Sequence, residues 1–433
     1  MKRFFYTLKS FFSPKEWFIL SIATLLSAII LSSTVWIKPV QQGVNPYQLL
    51  AYNIDVRDRT GERLDPFYTI FFANYEAKAS EEEKQQVSDL LEEEVQRLHR
   101  YGDRHHEFLS NSDDPNSAVF HNLKMLNAMH GQQQWLAIDE TFYDLLSEAK
   151  AMTQFTDGAF NMFIGTVSDF WDDLLDNPLY RLQYTQLDPA YNPLQRLALE
   201  SRIQYVPLLN EEVDQVLELK IEAGQPYVRF NTFRQSPAGS IKITLGGIAK
   251  GFANDIIADQ LSSRAFTRGY ISNGTSSITT LGPRYGNVPY RWQVTSPHPS
   301  ADFAFTIEKP GRHSLSTSGA YAGFRMPLGS TRVLRHHIID PRTGYPSTQA
   351  IELNVISSSY PAGRLDALST AMMTMDQTKA MQYRDEIVAS GHDLEMAWIE
   401  VIDDQVHVTY SPGYESILTK EQVVRYQRWS ASL

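Results

Sequence analysis

The feature that most narrows what this chain can be lies near its start. Trp17 to Ile37 carries no charged side chain and is bounded by a basic segment, residues 1–16, and by Lys38. At ~1.5 Å of helical rise per residue, such a run crosses a hydrocarbon core of ~30 Å. Trp17 and Trp36 stand near its ends, where amphipathic rings settle at the membrane–water boundary. Lys2, Arg3, Lys9 and Lys15 precede the run and Glu16 is the only acid among them, so the charge bias predicts a cytoplasmic N-terminus. The run reads as a transmembrane anchor over 17–37. A cleaved secretory signal is the alternative, with Ser32-Ser33-Thr34 as a weak cleavage region and no clean A-x-A site. Both readings export the body. The expected location is the cell membrane, single-pass, with the main domain extracytoplasmic.

There is no cysteine, which removes lipoprotein anchors, disulfides, thiolate metal sites and cysteine nucleophiles. An exported body without disulfides must rest on a large core, and 42% hydrophobic residues in 433 can supply one. Residues 1–16 carry four basic and one acidic side chain, a net of +3, whereas the whole chain is −11; the remainder is therefore −14. So acidic a body has no general affinity for a phosphate backbone, and nucleic acid is not an expected partner. An anionic small ligand would need a local device: a metal ion, a helix N-terminus or a few placed cations.

Residues 38–50, with Gln41 to Pro46 at their centre, read as a linker. A strand-like stretch follows at Phe67–Tyr75. Ser80-Glu81-Glu82-Glu83 is a capping box opening a helix whose inward positions are Val87, Leu90, Leu91, Val95 and Leu98. Asp139 begins another, with Phe142, Leu145, Leu146, Ala149 and Met152 inward, stopped by Thr156-Asp157-Gly158. Residues 172–235 have weak patterning and read as a loop-rich insertion with one helix near Glu211–Lys220. From Ile241 to about Tyr410 strands and helices alternate, with strands at Ala350–Ser357 and Met396–Ile402. No internal repeat occurs. The expectation is an α+β fold, one large domain of sheets covered by helices over 51–433.

Four segments gather special residues. Thr156-Asp157-Gly158-Ala159-Phe160-Asn161, followed by Trp171, offers close backbone approach and aromatic cover to a flat ligand, or is simply a helix C-cap. Ile241 to Gly251 (IKITLGGIAKG) reads as a strand ending in Gly-Gly and feeding a helix, a phosphate cradle with Lys250 in its first turn, or a tight turn with a solvated lysine. It lacks the Walker spacing. His337 to Pro346 (HIIDPRTGYP) is strong turn chemistry and suggests a rigid polar corner; the His336-His337 pair raises zinc, without further ligands at zinc spacing. In Arg364 to Met373 (RLDALSTAMM), Asp366 and Thr370 are i and i+4. In a helix they share one face, about 6 Å apart along the axis, and suit Mg²⁺; alternatively Asp366 caps the helix and Thr370 bonds back to a carbonyl. Summed, these parts suggest phosphoryl-group chemistry on a nucleotide.

The ordered set DGAFN, LGGIAKGFAND, SNGTSSI, STSGAY, HIIDPRTGYP and LDALST, from about Phe67 to Ala397, resembles the ApbE family of FAD:protein FMN transferases. The resemblance implies a T-fold-related fold whose sheets and helices enclose a long FAD groove. It also implies a reaction: a Thr or Ser hydroxyl of an exported or membrane flavoprotein attacks the FMN-side phosphorus of FAD, and AMP leaves. Carried over position by position, it implies that Ala159, Phe160 and Asn161 line the flavin nucleotide, with Phe67 in the entry segment. It implies further that Thr244, Lys250 and Ile338 contact FAD, and that Asp366 and Thr370 hold Mg²⁺ with the carbonyl of Gly247. His337, the one nearby side chain with a near-neutral reference pKa, is nominated to accept the attacking hydroxyl's proton, and Asp366 is counted with it as catalytic; buttressing of the Asp340 turn is the other role open to His337. Thr244 and Asn161 stand where the family often has Asp, Gly274-Thr275-Ser276 where it has Gly-Gly-Asp, and Phe67-Tyr68-Thr69 where it has Met-Gly-Thr. An Mg²⁺-dependent FAD pyrophosphatase and a non-catalytic FAD-binding protein are the alternative functions.

Overall fold

The structure, a computed structural model, describes residues 48–54, 71–77, 80–110, 117–274, 276–299, 301–320, 323–328 and 331–429. The anchor expected at 17–37 and Phe67 lie outside these residues. Among the described residues, no helix is long and apolar enough to cross a membrane.

The chain order explains how the site is assembled. Strands β1 (Gln48–Ile54) and β2 (Phe71–Ala77) lead to helix α1 (Glu81–Gly102), whose capping box forms as expected: Glu83 N–H donates to Ser80 Oγ at 3.2 Å and Ser80 N–H to Glu83 Oε2 at 2.7 Å. Val87, Leu91, Val95 and Leu98 are buried on one face, as a helical repeat of apolar positions requires. After the short strands β3 (Phe108–Leu109) and β4 (Val119–Phe120), α2 (Leu123–Ala128) and β5 (Leu136–Ala137) comes α3 (Glu140–Phe155). Asp139 caps it, and it buries Phe142, Leu145, Leu146, Ala149 and Met152. It ends where Gly158 takes φ +73°, a left-handed conformation that costs glycine little.

The stretch read as a loop-rich insertion is instead mostly regular. It contains the end of α4 (Gly165–Leu175), then α5 (Tyr184–Leu187), α6 (Pro193–Ile203) and α7 (Asn210–Val216), and a hairpin of β6 (Leu217–Glu222) and β7 (Gln225–Phe230). The helix expected to reach Lys220 stops at Val216. Asn192 caps α6 with Pro193 at its first position, a start signal that the surrounding prolines obscured. The hairpin turns through Ala223 (φ 50°) and Gly224 (φ 83°), a left-handed pair whose usual Asn-Gly signature is absent.

The remaining elements are α8 (Ala249–Ser263), β8 (Gly269–Asn273), β9 (Ser277–Gly282), β10 (Tyr290–Thr295), β11 (Phe303–Lys309), β12 (Ser314–Gly319), β13 (Phe324–Leu328), β14 (Thr331–Arg335), β15 (Glu352–Ser357), α9 (Ala362–Met372), α10 (Gln377–Ala389), β16 (Glu395–Ile402), β17 (Gln405–Tyr410), β18 (Leu418–Lys420) and β19 (Arg425–Arg428). Residues 241–245, read as a strand, make only one isolated bridge, Lys242 to Ile164. Nine strands form the main sheet in the order β1-β2-β8-β9-β12-β15-β16-β17-β19, antiparallel except between β17 and β19.

Strand alternation gives this sheet two apolar faces. Leu353, Val355, Met396 and Trp398 join a core shared with α3, α8 and α9. Leu315, Ile356, Ala397, Ile399, Val406 and Val408 face the other way, against the smaller sheet β10-β11-β18 and its Trp292, Phe305 and Ile307. A third core of Val167, Phe170, Trp171, Leu174, Tyr180, Leu199 and Val206 closes over Ile339.

Candidate active site

The site is built where α8 and α9 begin. The helices lie side by side, and glycine permits it: a Cβ on Gly251 would stand 2.1 Å from the Ala362 carbonyl oxygen, and one on Gly363 3.1 Å from Phe252 Cα. Residue Ile248, at the cap position of α8, offers no side-chain bond. The cap comes from α9: Asp366 Oδ2 accepts the Gly251 N–H at 2.6 Å. The capping reading of Asp366 is thus met in part, because it caps a helix, though not its own.

Around Asp366 the sheet supplies hydroxyls where apolar side chains would otherwise face the helices. Ser277 on β9 and Ser316 on β12 donate to Asp366 Oδ1 at 2.5 and 2.6 Å. From Ser316 a line of hydroxyls runs to Ser369 (3.1 Å), to Ser318 (2.7 Å) and to Thr370 (3.4 Å). Burial pushes the Asp366 carboxyl up to about 6, against the pull of the serine hydroxyls and the Lys250 charge. These four serines were not singled out as site residues from the sequence; for Ser316 and Ser318 the signal was serine recurring at the helix-facing positions of β12.

The donor set fits a hard cation. Asp366, Thr370 and the serines offer only oxygen, and Oδ2 keeps a lone pair beyond the one that accepts Gly251. Thr370 is half-buried. Gly247 adjoins it: a Cβ there would meet Thr370 Oγ1 and the Phe160 ring, each at 3.1 Å. Lys250 is half-buried, with Nζ 3.4 Å from Ser276 Oγ, and its charge acts on both Asp366 and His337.

The HIIDPRTGYP segment is the rigid corner its composition predicts. Asp340 N–H donates to the Tyr345 carbonyl and Gly344 N–H to the Asp340 carbonyl, both at 2.8 Å, while Arg342 Nε donates to Asp340 Oδ1 at 2.8 Å. Its two histidines differ. His336 is buried; its Nδ1 accepts the Ile338 N–H at 3.2 Å and its Nε2 donates to the Ser347 carbonyl at 2.8 Å. That pattern defines a neutral ring with no nitrogen left for zinc. His337, its ring at 87° to that of His336, is exposed by area and has no hydrogen-bond partner among the described residues. Desolvation, then His336 and Lys250, push the imidazole down to about 4. Because the ring keeps contact with solvent, desolvation acts on it only in part.

Other expected contacts turn inward. Ile338 is 6% exposed and packs in the main core, flanked by the isolated bridge Ile339–Pro346 rather than by a strand. Asn161 is buried with both amide atoms engaged: Nδ2 donates to the Pro207 carbonyl at 2.7 Å and Oδ1 accepts the Phe163 N–H at 2.9 Å. It holds its loop rather than presenting a free amide. Trp171, read as ring cover, is fully buried and donates to the Gly344 carbonyl at 2.6 Å. Ala159 and Phe160 are buried, with Phe160 against Gly247. Thr244 is half-buried, its N–H on the Met162 carbonyl at 2.8 Å and its hydroxyl without a partner among the described residues. Clefts of about 320 and 450 Å³ open elsewhere, by Tyr360 and Arg364 and by Asp169 and Lys242; neither is lined by Lys250, His337, Asp366 or Thr370, so chemistry rather than cavity size marks this site.

With the geometry in view, the chain can be set beside known proteins. The sequence profile of the ApbE family matches residues 68–390. A relative from Treponema pallidum, described as FAD:protein FMN transferase, is 29% identical over 267 residues, 60% of this chain and 66% of the relative. One of the same description from Vibrio cholerae is 28% identical over 41% of this chain and 50% of its own length. The matches thus span between half and two thirds of these relatives. Among solved structures, the flavin transferase ApbE from Vibrio cholerae superposes with a TM-score of 0.60 at 17% identity, covering 86% of this chain and 100% of that one. The ApbE protein from Thermotoga maritima gives 0.55 at 20% identity, over 87% and 97%. These likenesses establish the fold.

Proposed function

The chain belongs to the ApbE family, and from that premise we propose that it transfers FMN from FAD to a Thr or Ser hydroxyl of another protein, releasing AMP. The observation that carries this reading is the half-buried Thr370 hydroxyl beside Gly247, one helical turn from the buried Asp366, with the Lys250 charge acting on Asp366 and His337 alike. Relatives described as FAD:protein FMN transferase support the same substrate.

In the proposed reaction the acceptor oxygen bonds to the FMN-side phosphorus as the bond from that phosphorus to the bridging oxygen breaks. The bridging oxygen leaves with AMP. Neutral at physiological pH, His337 takes the hydroxyl's proton on a ring nitrogen. Lys250 offsets diphosphate charge as a compact point cation, and Phe160 and Gly247 shape the wall beside it. Mg²⁺, held by Asp366, Thr370 and the Gly247 carbonyl, would supply charge neutralisation at the diphosphate. The serine line from Ser316 to Thr370 keeps the carboxylate and the alcohol in register. The acceptor we propose is an exported or membrane flavoprotein, met outside the membrane that Trp17–Ile37 would span.

Product analysis tests the reading. With FAD and Mg²⁺ but no acceptor, little FAD should be consumed; adding a flavoprotein acceptor should release AMP without an equal amount of free FMN. Equal FMN and AMP would identify a pyrophosphatase, and binding of FAD without AMP under any condition a non-catalytic binder.

A further inference from the structure

We infer that Asp255, on α8, is a positioning residue for the metal-binding face of α9, an inference that rests on the function proposed above. Helix α9 begins at Ala362 behind Pro361, which has no side chain able to cap, so its first N–H groups lack intrahelical partners. Asp255 fills the gap from the neighbouring helix: Oδ1 accepts the Ala362 N–H and Oδ2 the Gly363 N–H, each at 3.0 Å. Asp255 stands one turn beyond Gly251, and Gly251 N–H is the donor to Asp366, itself one turn beyond Ala362. Each helix therefore caps the other with a carboxylate from its second turn.

The consequence concerns where ligands sit. Gly247 and Lys250 belong to the start of α8, Asp366 and Thr370 to α9, so any cation shared between them depends on how far one helix slides or rolls on the other. The glycine contacts at Gly251 and Gly363 set how closely the backbones approach but carry little direction. The three carboxylate bonds are directional and fix the register. Asp255 touches neither metal nor substrate in this arrangement. It acts through α9, as outer partners of metal ligands do.

The test uses Mn²⁺ as the probe, its binding to the full-length chain followed by electron paramagnetic resonance, with FAD affinity measured separately without metal. Asp255→Asn keeps the size of the side chain but has one acceptor oxygen in place of two. It is expected to weaken Mn²⁺ binding roughly tenfold to a hundredfold and to leave metal-free FAD affinity within about threefold. The control Asp139→Ala removes the side-chain acceptor that caps α3, which bonds none of these ligands, and should leave Mn²⁺ affinity as in the wild type. Wild-type Mn²⁺ affinity in Asp255→Asn, or equal loss in both variants, overturns the inference. If the wild-type chain binds no Mn²⁺, the metal reading itself fails and this inference falls with it, an outcome told apart by the wild-type trace alone. Should Asp255→Asn not fold, Gly363→Ala displaces the start of α9 with the carboxylate in place; weakened Mn²⁺ binding is expected there, and unchanged binding overturns the register argument.

Discussion

His336 and His337 are consecutive, of one residue type, and opposite in situation. His336 has its two nitrogens occupied by backbone partners and serves the corner; His337 has none among the described residues, is exposed, and feels the Lys250 charge. A base must be unprotonated, and an imidazole pushed down to about 4 is neutral through the whole physiological range. His337→Gln should therefore lower the transfer rate by roughly 10²–10⁴ at pH 7. In the wild type the rate should fall as the pH drops through about 6, where Asp366 takes a proton in place of the cation, and again through about 4, where the ring gains its proton; the limb at about 4 should be absent from His337→Gln. A variant with unchanged rate at every pH would remove His337 from the chemistry. At this scale the sequence exposed the special residue types, Lys250, Asp366 and Thr370 among them, because few side chains can serve a diphosphate. It did not expose orientation. Asn161 and Ile338 stand in the motifs with buried side chains, the one held by hydrogen bonds to Pro207 and Phe163, the other by packing in the core.

Elements explain how those residues are held. The segment from α4 to the end of α6 packs on the His337 corner through Trp171, whose indole donates to the Gly344 carbonyl, and through a buried ion pair. Arg335 Nε lies 2.8 Å from Asp188 Oδ2, the two side chains being 4% and 0% exposed, and the guanidinium stacks 5.4 Å from the centres of the Trp171 and Tyr345 rings. Breaking such a pair leaves a buried guanidinium unmatched, so Asp188→Asn should destabilise the chain by roughly 3–5 kcal/mol in denaturant unfolding. A loss below about 1 kcal/mol would show that water or another carboxylate replaces Asp188. The amphipathic helices α1 and α3 were legible because cap and apolar period agree. The insertion was not, because its helices are short, its hairpin lacks the common turn residues, and Asp188 and Arg335 are far apart in the chain.

Over the whole molecule, one main sheet carries two cores of different purpose. The face against β10-β11-β18 is mainly aliphatic and aromatic packing around the bonded polar pair Thr317 and Asn354, whereas the face toward α8 and α9 gives way to Ser277, Ser316 and Ser318 where the helices begin. Burying hydroxyls and a carboxylate there is tolerable because each finds a partner. The α+β class and the order of the motifs could be read from the chain, while the pairing of β9 with β12, which sets those serines side by side, is a non-local contact that no local pattern encodes. The central claim is that this cluster moves FMN from FAD to a protein hydroxyl. Its most direct measurement is the intact mass of a candidate exported flavoprotein after incubation with the chain, FAD and Mg²⁺. The account predicts a gain of one FMN, placed on a Thr or Ser and absent with Asp366→Ala. An acceptor of unchanged mass while FAD is split to FMN and AMP, or a full gain with Asp366→Ala, would contradict it.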